Sequence, residues 1–297
     1  MERNTYIISV INAKGGVGKT TISANISHCL SYAGYKVLHV DLDPQGSSSE
    51  LIKPLTPSGA RLRKDDILRL DMFKLLSQPA NTQDYIFKTE HDGLDIIPNA
   101  RSVELTMEEG SFDKKLEKLE YANKYTAFKT NLDKIRGLYD YVVIDGQPYM
   151  NDIMRICITA SDCVLSPALP DMFNLHTVDE TLKIIDLVNH KYNLDIQYLG
   201  FFFNQVDDLK DDAYIKVKDF YVSKAKEYFL DFPIRKSKVV LKAVNLRKLW
   251  IDYARDHTVI FPNPCKDLLR LLDNIGLLEP EHKEILLKKG FKKSYFE

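Results

Sequence analysis

Tyr6-Ile-Ile-Ser-Val-Ile11 is a short apolar run rich in β-branched residues. It passes directly into Asn12-Ala-Lys-Gly-Gly-Val-Gly-Lys-Thr-Thr21 and then into a helical pattern that lasts to about Ala33. A short apolar run bounded by glycines reads as a buried strand, so the order is strand, glycine loop, helix. The Gly-Lys-Thr ending in that context is the mark of a phosphate-binding loop. Gly15, Gly16, Val17 and Gly18 can turn backbone N–H groups inward around a β-phosphate, and the helix N-terminus adds its positive end. Lys19 is placed to reach the β- and γ-phosphates, the Thr20 hydroxyl to ligate Mg²⁺, and Thr21 to bond the α-phosphate. A bare strand-to-helix turn would account for the glycines but not for the Lys-Thr ending. Lys14 is one lysine more than such a loop needs.

The same grammar recurs along the chain. Gly34 ends the first helix and Lys36-Val-Leu-His-Val-Asp41 is the next buried strand, broken by Asp43-Pro-Gln-Gly46. Further strands are expected at Leu94–Ile97, Tyr141–Asp145, Cys163–Pro167 and Ile196–Phe203, with helices over Leu175–Val188 and Tyr214–Tyr228. Apolar strands alternating with amphipathic helices predict an α/β fold, a mostly parallel twisted sheet covered on both faces. A chain of 297 residues, 44% hydrophobic and 28% charged, is long enough to build one such domain over 1–279. Three parts fit less neatly. Residues 53–92, opening with Pro54, Pro57 and Gly59, are expected to be a loop-and-helix excursion. Residues 111–137 alternate Lys, Glu and Leu like a solvated helix, and the lysine-rich tail 280–297 is expected to be poorly ordered.

Acidic residues at strand ends complete a nucleotide site. Asp145 closes Tyr141-Val-Val-Ile-Asp145 and is the expected carboxylate behind Mg²⁺, the alternative being a cap for the segment that follows. Asp41 and Asp43 end the second strand two residues apart, so they share a face if the strand stays extended. Two carboxylates beside a triphosphate repel it unless metal or water intervenes. One is therefore read as supporting the Mg²⁺ shell and the other as positioning the attacking water, unless Asp43-Pro44 simply starts a turn. The four cysteines, Cys29, Cys157, Cys163 and Cys265, have neither C-x-x-C spacing nor partnering histidines and are expected to be reduced and buried. No long uncharged apolar run occurs, and the expected location is the cytoplasm.

Taken together, K-G-G-V-G-K-T-T, V-D-L-D-P-Q-G and Y-D-Y-V-V-I-D resemble the ParA/Soj-like DNA-partition ATPases of the deviant Walker A class. The likeness continues through Leu94-Asp-Ile-Ile-Pro98, Pro167-Ala-Leu-Pro-Asp-Met-Phe173 and Phe232-Pro-Ile-Arg235, and so covers most of residues 5–275. The resemblance implies that Lys14 reaches across an ATP-sandwich homodimer to the phosphates held by the other subunit, the alternative being a solvated loop lysine. By the same carry-over Asp43 orients the hydrolytic water, Asp41 sits behind Mg²⁺, and Asp145 is the Walker B carboxylate. Gly146-Gln147-Pro148 departs from the family's T-P-P at this switch segment. Only a few residues precede the first strand, so autoregulation through an N-terminal helix-turn-helix domain is not expected. Asn204-Gln-Val-Asp207 lacks the lysine of the guanine-reading N-K-x-D. The family likeness points to ATP rather than GTP, with Asn204 either an adenine contact or a helix cap.

Net charge is −1, so any nucleic-acid surface must be a local patch. The stretch "RKSKVVLKAVNLRK" supplies one: Arg235, Lys236, Lys238, Lys242, Arg247 and Lys248 with no acid between them. The resemblance implies non-specific binding of double-stranded DNA there once ATP has dimerised the chain. It also implies nucleoid association and release by a ParB-like centromere-binding partner that stimulates slow hydrolysis. A solvated helix face is the alternative. Lys288-Lys-Gly-Phe-Lys-Lys-Ser-Tyr-Phe296 is somewhat like the tail of the membrane-cycling MinD ATPases, but its apolar side is too thin for firm anchoring, so membrane contact is not expected. A MinD-like positioning ATPase and a metabolic transferase or ligase on the same fold remain the rival readings.

Overall fold

The structure, a computed structural model, describes residues 5–99, 112–120, 123–147, 152–172, 174–257 and 261–296. One sheet organises them. Its strands are β1 (Tyr6–Val10), β2 (Val37–Asp41), β3 (Pro54–Leu55), β4 (Phe87–Thr89), β5 (Leu94–Ile97), β6 (Tyr141–Asp145), β7 (Cys163–Ala168), β8 (Gln197–Val206) and β9 (Ile234–Arg235). They lie in the order β3-β4-β5-β2-β6-β1-β7-β8-β9. From β5 to β9 every pair is parallel, whereas β3–β4 and β4–β5 are antiparallel. The expected mostly parallel sheet is thus present, with a short antiparallel edge.

Strand side chains alternate between two cores, one on each face. Ile8, Val10, Val37, Tyr141 and Val143 point into one core, and Ile7, Ile11, Leu38, Val40, Val142 and Ile144 into the other. Burial on both faces is why these strands read as continuous apolar runs rather than alternating ones. The helix after the glycine loop, Lys19–Tyr32, lies in the first core and is buried on nearly every side. On β2 the face of Val37 also carries His39 and Asp41. His39 Nδ1 meets Ser27 Oγ of that helix at 2.9 Å, so Asp41 is aimed at the helix as well.

Three segments differ from expectation. The excursion at 53–92 contributes β3 and β4 to the sheet edge and two short helices, Lys64–Leu68 and Met72–Ser77. Its strands are two and three residues long, too short to carry a period. Residues 112–120 and 123–137 are not a solvated helix. The helices Phe112–Glu117 and Ala127–Asp133 sink Leu116, Phe128 and Leu132 into the second core. The lysine-rich tail is not frayed either. Pro280–Lys288 is helical, and Leu286, Phe291 and Tyr295 join the first core, while Lys289 Nζ donates to the carbonyl of Tyr32. The charge along these segments sits on the outer side of helices that dock through a few apolar residues. Each of the four cysteines is buried.

Burial holds the His39 imidazole neutral, with a pKa pushed down to about 3. An unfolded chain takes up that proton near pH 6.5, so below that value the unfolded state binds more protons than the folded one. Stability is therefore lost as pH falls from about 6.5 toward 3, at about 1.4 kcal/mol per pH unit from this group. The buried Asp41 and Asp145, with pKa values raised, contribute in the opposite direction, so the His39 share is read by difference: as pH falls from 7 to 5, the urea midpoint of His39→Leu should fall less, or rise more, than that of the wild type.

Candidate functional site

Three parallel strands, β2, β6 and β1, end side by side and present their carboxyl ends to one crevice, the usual ligand position in an open α/β sheet. β1 runs into the glycine loop. Asn12 starts it: its Oδ1 accepts from the Lys14 N–H at 2.8 Å and its Nδ2 donates to the Pro167 carbonyl at 2.9 Å. Gly16 and Gly18 have φ of 76° and 92°, the left-handed region in which a side chain is strained. At Gly18 a Cβ would also stand 2.3 Å from Asn204 Nδ2. The helix begins at Lys19 with no side-chain cap and no acid in its first turn, which leaves its N–H groups and positive end to a ligand.

The end of β8 braces this loop from beneath. Asn204 Nδ2 donates to the Val17 carbonyl at 2.8 Å and Gln205 Nε2 to the Gly16 carbonyl at 2.9 Å. Asn204 therefore does not cap the next helix; Asp211 does, accepting from the Ala213 N–H. With its amide nitrogen engaged below the loop, Asn204 is a support of the phosphate cradle, a role that the sequence alone did not suggest. Nothing in local sequence marks a residue whose partner lies almost two hundred positions away.

Charge is concentrated under the helix N-terminus. Asp41 and Asp145 are paired across β2 and β6 and both are fully buried. Asp41 is satisfied by the Ser49 N–H at 2.9 Å and the Ser49 hydroxyl at 2.7 Å. Neither oxygen of Asp145 has a hydrogen-bond partner among the described residues. Burial first, and then the neighbouring Asp41 carboxylate, push the Asp145 pKa up, while the nearby hydroxyls of Thr20 and Ser48 pull the other way. Asp41 is raised by burial too, against its bonds to Ser49. Lys19 is buried, its Nζ donates to the Lys14 carbonyl at 2.9 Å, and burial lowers its pKa to about 8 although Asp145 and Asp43 favour the charged form. Two buried carboxylates, one of them unbonded, beside a helix terminus and a Thr hydroxyl are a donor set that fits a hard divalent cation with a phosphate. Asp43 is half-buried and does start a turn, its Oδ1 accepting from the Gln45 N–H at 2.9 Å and its carbonyl from the Gly46 N–H.

Two expected surfaces look different in three dimensions. The Lys14 ammonium is not loose in solvent: Nζ lies 2.6 Å from Asp171 Oδ2 of the same chain, at the half-exposed rim of the site. The basic stretch has acids after all, brought from elsewhere. Arg235 is clamped by the buried Asp267, Lys236 meets Asp207, Arg247 meets Glu50 and Lys248 meets Asp256. Among the described residues, Lys238 and Lys242 on the helix Lys238–Asn245 carry no ion pair. Arg247 also borders a cleft of about 700 Å³ with Arg61, Arg63 and Lys64 from the edge excursion, which lie outside the basic patch read from the sequence. Pro148 and Phe173, which belong to the family-like segments, lie outside the described residues.

Comparison with known proteins agrees with this geometry. A family described as an AAA domain matches residues 5–198. The sporulation initiation inhibitor protein Soj of Bacillus subtilis is 31% identical over 225 residues, 76% of this chain and 80% of that protein. The chromosome partitioning protein ParA of Caulobacter vibrioides is 30% identical over 196 residues, 65% of this chain and 67% of that protein. Among solved structures, an ATP complex of McdA from Cyanothece superposes with a TM-score of 0.74 at 17% identity, covering 93% of this chain and 98% of that one. No helix among the described residues is long and apolar enough to cross a membrane.

Asp145→Asn should separate stability from function. Neutralising a buried carboxyl that is repelled by Asp41 and has no hydrogen-bond partner among the described residues should leave the thermal midpoint of the nucleotide-free protein equal or higher. The added midpoint that Mg²⁺ with ATP confers on the wild type should largely vanish. Thermal melts with and without Mg²⁺ and ATP read both.

Proposed function

We propose that this chain, which belongs to the Soj- and ParA-like family of P-loop ATPases, is an ATP-gated DNA-partition switch. In this reading it pairs with a second copy when ATP is bound and rests non-specifically on double-stranded DNA as a dimer. A ParB-like partner releases it by stimulating slow hydrolysis. The observation that carries the reading is Lys14, a cation beyond the loop's own needs, held at the rim by Asp171. Both side chains are about one-third exposed. Such a pair is worth little, so exchanging Asp171 for phosphates held by a second subunit costs about 1 kcal/mol or less.

Within one subunit the loop N–H groups and Lys19 hold the phosphates. Thr20 is positioned to ligate Mg²⁺, with Asp145 and Asp41 behind it, and the metal supplies charge neutralisation on the phosphoryl oxygens. Asp43, on the turn beside Lys19, orients the attacking water. Asp43 is half-buried, whereas Asp41 and Asp145 are fully buried, so Asp43 is the more accessible of the three strand-end carboxylates, in keeping with the role that the family resemblance implies for it. For DNA, Lys238 and Lys242, which carry no ion pair among the described residues, supply charge, and Arg61 and Lys64 extend the positive surface. Contacts of this kind are salt-sensitive, and a dimer doubles them.

One observation favours a second surface. Leu241 and Leu246 are 57% and 55% exposed beside Lys238 and Lys242, and apolar and basic side chains sharing a helix surface suit anionic lipid. The test runs both arms: solution mass, binding to random-sequence duplex DNA and binding to anionic vesicles, each in ATP, ADP and no nucleotide. Wild type should dimerise and bind DNA only with ATP, and Lys14→Ala should stay monomeric. Asp43→Ala should accumulate the DNA-bound dimer, and Asp171→Asn should lower the concentration for half-dimerisation by about two- to fivefold. DNA binding that ignores nucleotide would sink the partition reading. ATP-dependent vesicle binding in its place would favour the positioning ATPase.

A further inference from the structure

A second cluster of potential ligands lies on the same helix as the phosphate loop, about 13 Å along its axis from Lys19 at 1.5 Å per residue. His28 comes from the helix Lys19–Tyr32, His91 from the turn between β4 and β5, and Asp252 from the helix Trp250–Asp256. His28 Nε2 stands 3.6 Å from Asp252 Oδ1, and His91 Nε2 3.8 Å from Asp252 Oδ2. The two imidazole centroids are 4.4 Å apart. One ligand atom from each of the three residues fits within a 4.8 Å span.

The two His–Asp spacings are too long for hydrogen bonds and close to the ligand–ligand edge of a tetrahedral site with bonds of about 2.0–2.2 Å, roughly 3.3–3.6 Å, and the wider span across the three ligand atoms would contract by about 1 Å around an ion. The cluster is otherwise poorly satisfied. His28 Nδ1 and His91 Nε2 are buried and have no hydrogen-bond partner among the described residues. Buried polar atoms normally find partners, and the orphaned His91 Nε2 is the nitrogen that faces Asp252, where an ion would occupy it; His28 would bind through Nε2, which also faces Asp252, and keep its proton on Nδ1. Burial lowers the pKa of both histidines, well below the ordinary value for His28, which keeps them in the neutral form that binds metal. Glu90 is a further donor close by, its Oε1 4.0 Å from His91 Nε2 and 3.1 Å from Lys53 Nζ.

We propose that His28, His91 and Asp252 bind a divalent transition ion of the zinc class, with Glu90 or water as the fourth ligand. Two imidazoles and a carboxylate in compact four-fold geometry suit that class rather than Mg²⁺ or Ca²⁺, which take oxygen ligands in larger numbers. The ion would tie together the phosphate-loop helix, the sheet edge and the helix Trp250–Asp256. That last helix begins five residues after the basic helix Lys238–Asn245 ends, so the ion would also fix the base of the positive surface.

The full chain, stripped with a chelator and free of nucleotide and Mg²⁺, is titrated with Co²⁺ and read by visible absorption. The bands of four-coordinate Co²⁺ should saturate at one equivalent, vanish on adding one equivalent of Zn²⁺ and resist millimolar Mg²⁺. His91→Ala, at a surface turn, and the near-isosteric Asp252→Asn should each weaken binding by at least about 10-fold, the lower bound for disturbing even outer-sphere partners. Zn²⁺ should raise the thermal midpoint of the wild type and not of the variants. A folded wild-type protein with no Co²⁺ bands and no Zn²⁺-dependent shift overturns the site. So does undiminished binding in both variants, which would put the ion elsewhere.

Discussion

Two buried carboxylates facing a helix N-terminus are the constraint around which the rest is arranged. Asp41 and Asp145 sit in register at the carboxyl ends of adjacent strands, sealed from water, and repel each other. A low-dielectric interior makes that arrangement costly unless positive charge is at hand. Lys19, the free N–H groups of the first helical turn and the hydroxyls of Thr20 and Ser48 are what this chain places there. The crevice is left needing more positive charge around Asp145 and more negative charge at the helix terminus. A metal–phosphate pair meets both needs at once.

The cradle is held by long-range contacts rather than by its own residues. A loop of three glycines in four positions has little intrinsic shape. Asn12 fixes its entry by bonding Pro167 at the end of β7, and Asn204 and Gln205 at the end of β8 hold two of its carbonyls. Strands on one side of β1 therefore shape the loop, while those on the other side carry the carboxylates. The sheet order, with β1 between β6 and β7, is what lets both sets converge.

The outer surface follows a different logic, in which sequence neighbours are poor guides to electrostatic neighbours. Six cations in fourteen residues look like an open patch, yet Asp267, Asp207, Glu50 and Asp256 approach four of them from other elements. Arg235 is the extreme case, its guanidinium bound in a fork to a buried carboxylate and thus part of the fold. The positive surface that remains is smaller and includes residues of the edge excursion.

The phosphate loop, the strands that flank it and the acids that end them were legible in the sequence. Each is encoded locally: an apolar run, glycines, then Lys-Thr, or a run closed by Asp. The two-sided burial of β1, β2 and β6 followed from their predominantly apolar, non-alternating sequences. Tertiary structure alone decided what depends on distant partners. It docked the lysine-rich tail through Leu286, Phe291 and Tyr295 and buried Leu116, Phe128 and Leu132 of a charged stretch. It also set Asn204 beneath the loop and parked Lys14 on Asp171. It gathered His28, His91 and Asp252 from positions far apart in the chain. Composition and period report what a segment can bury, whereas pairing of charges and ligands requires knowing which segment lies opposite, and only the folded sheet supplies that.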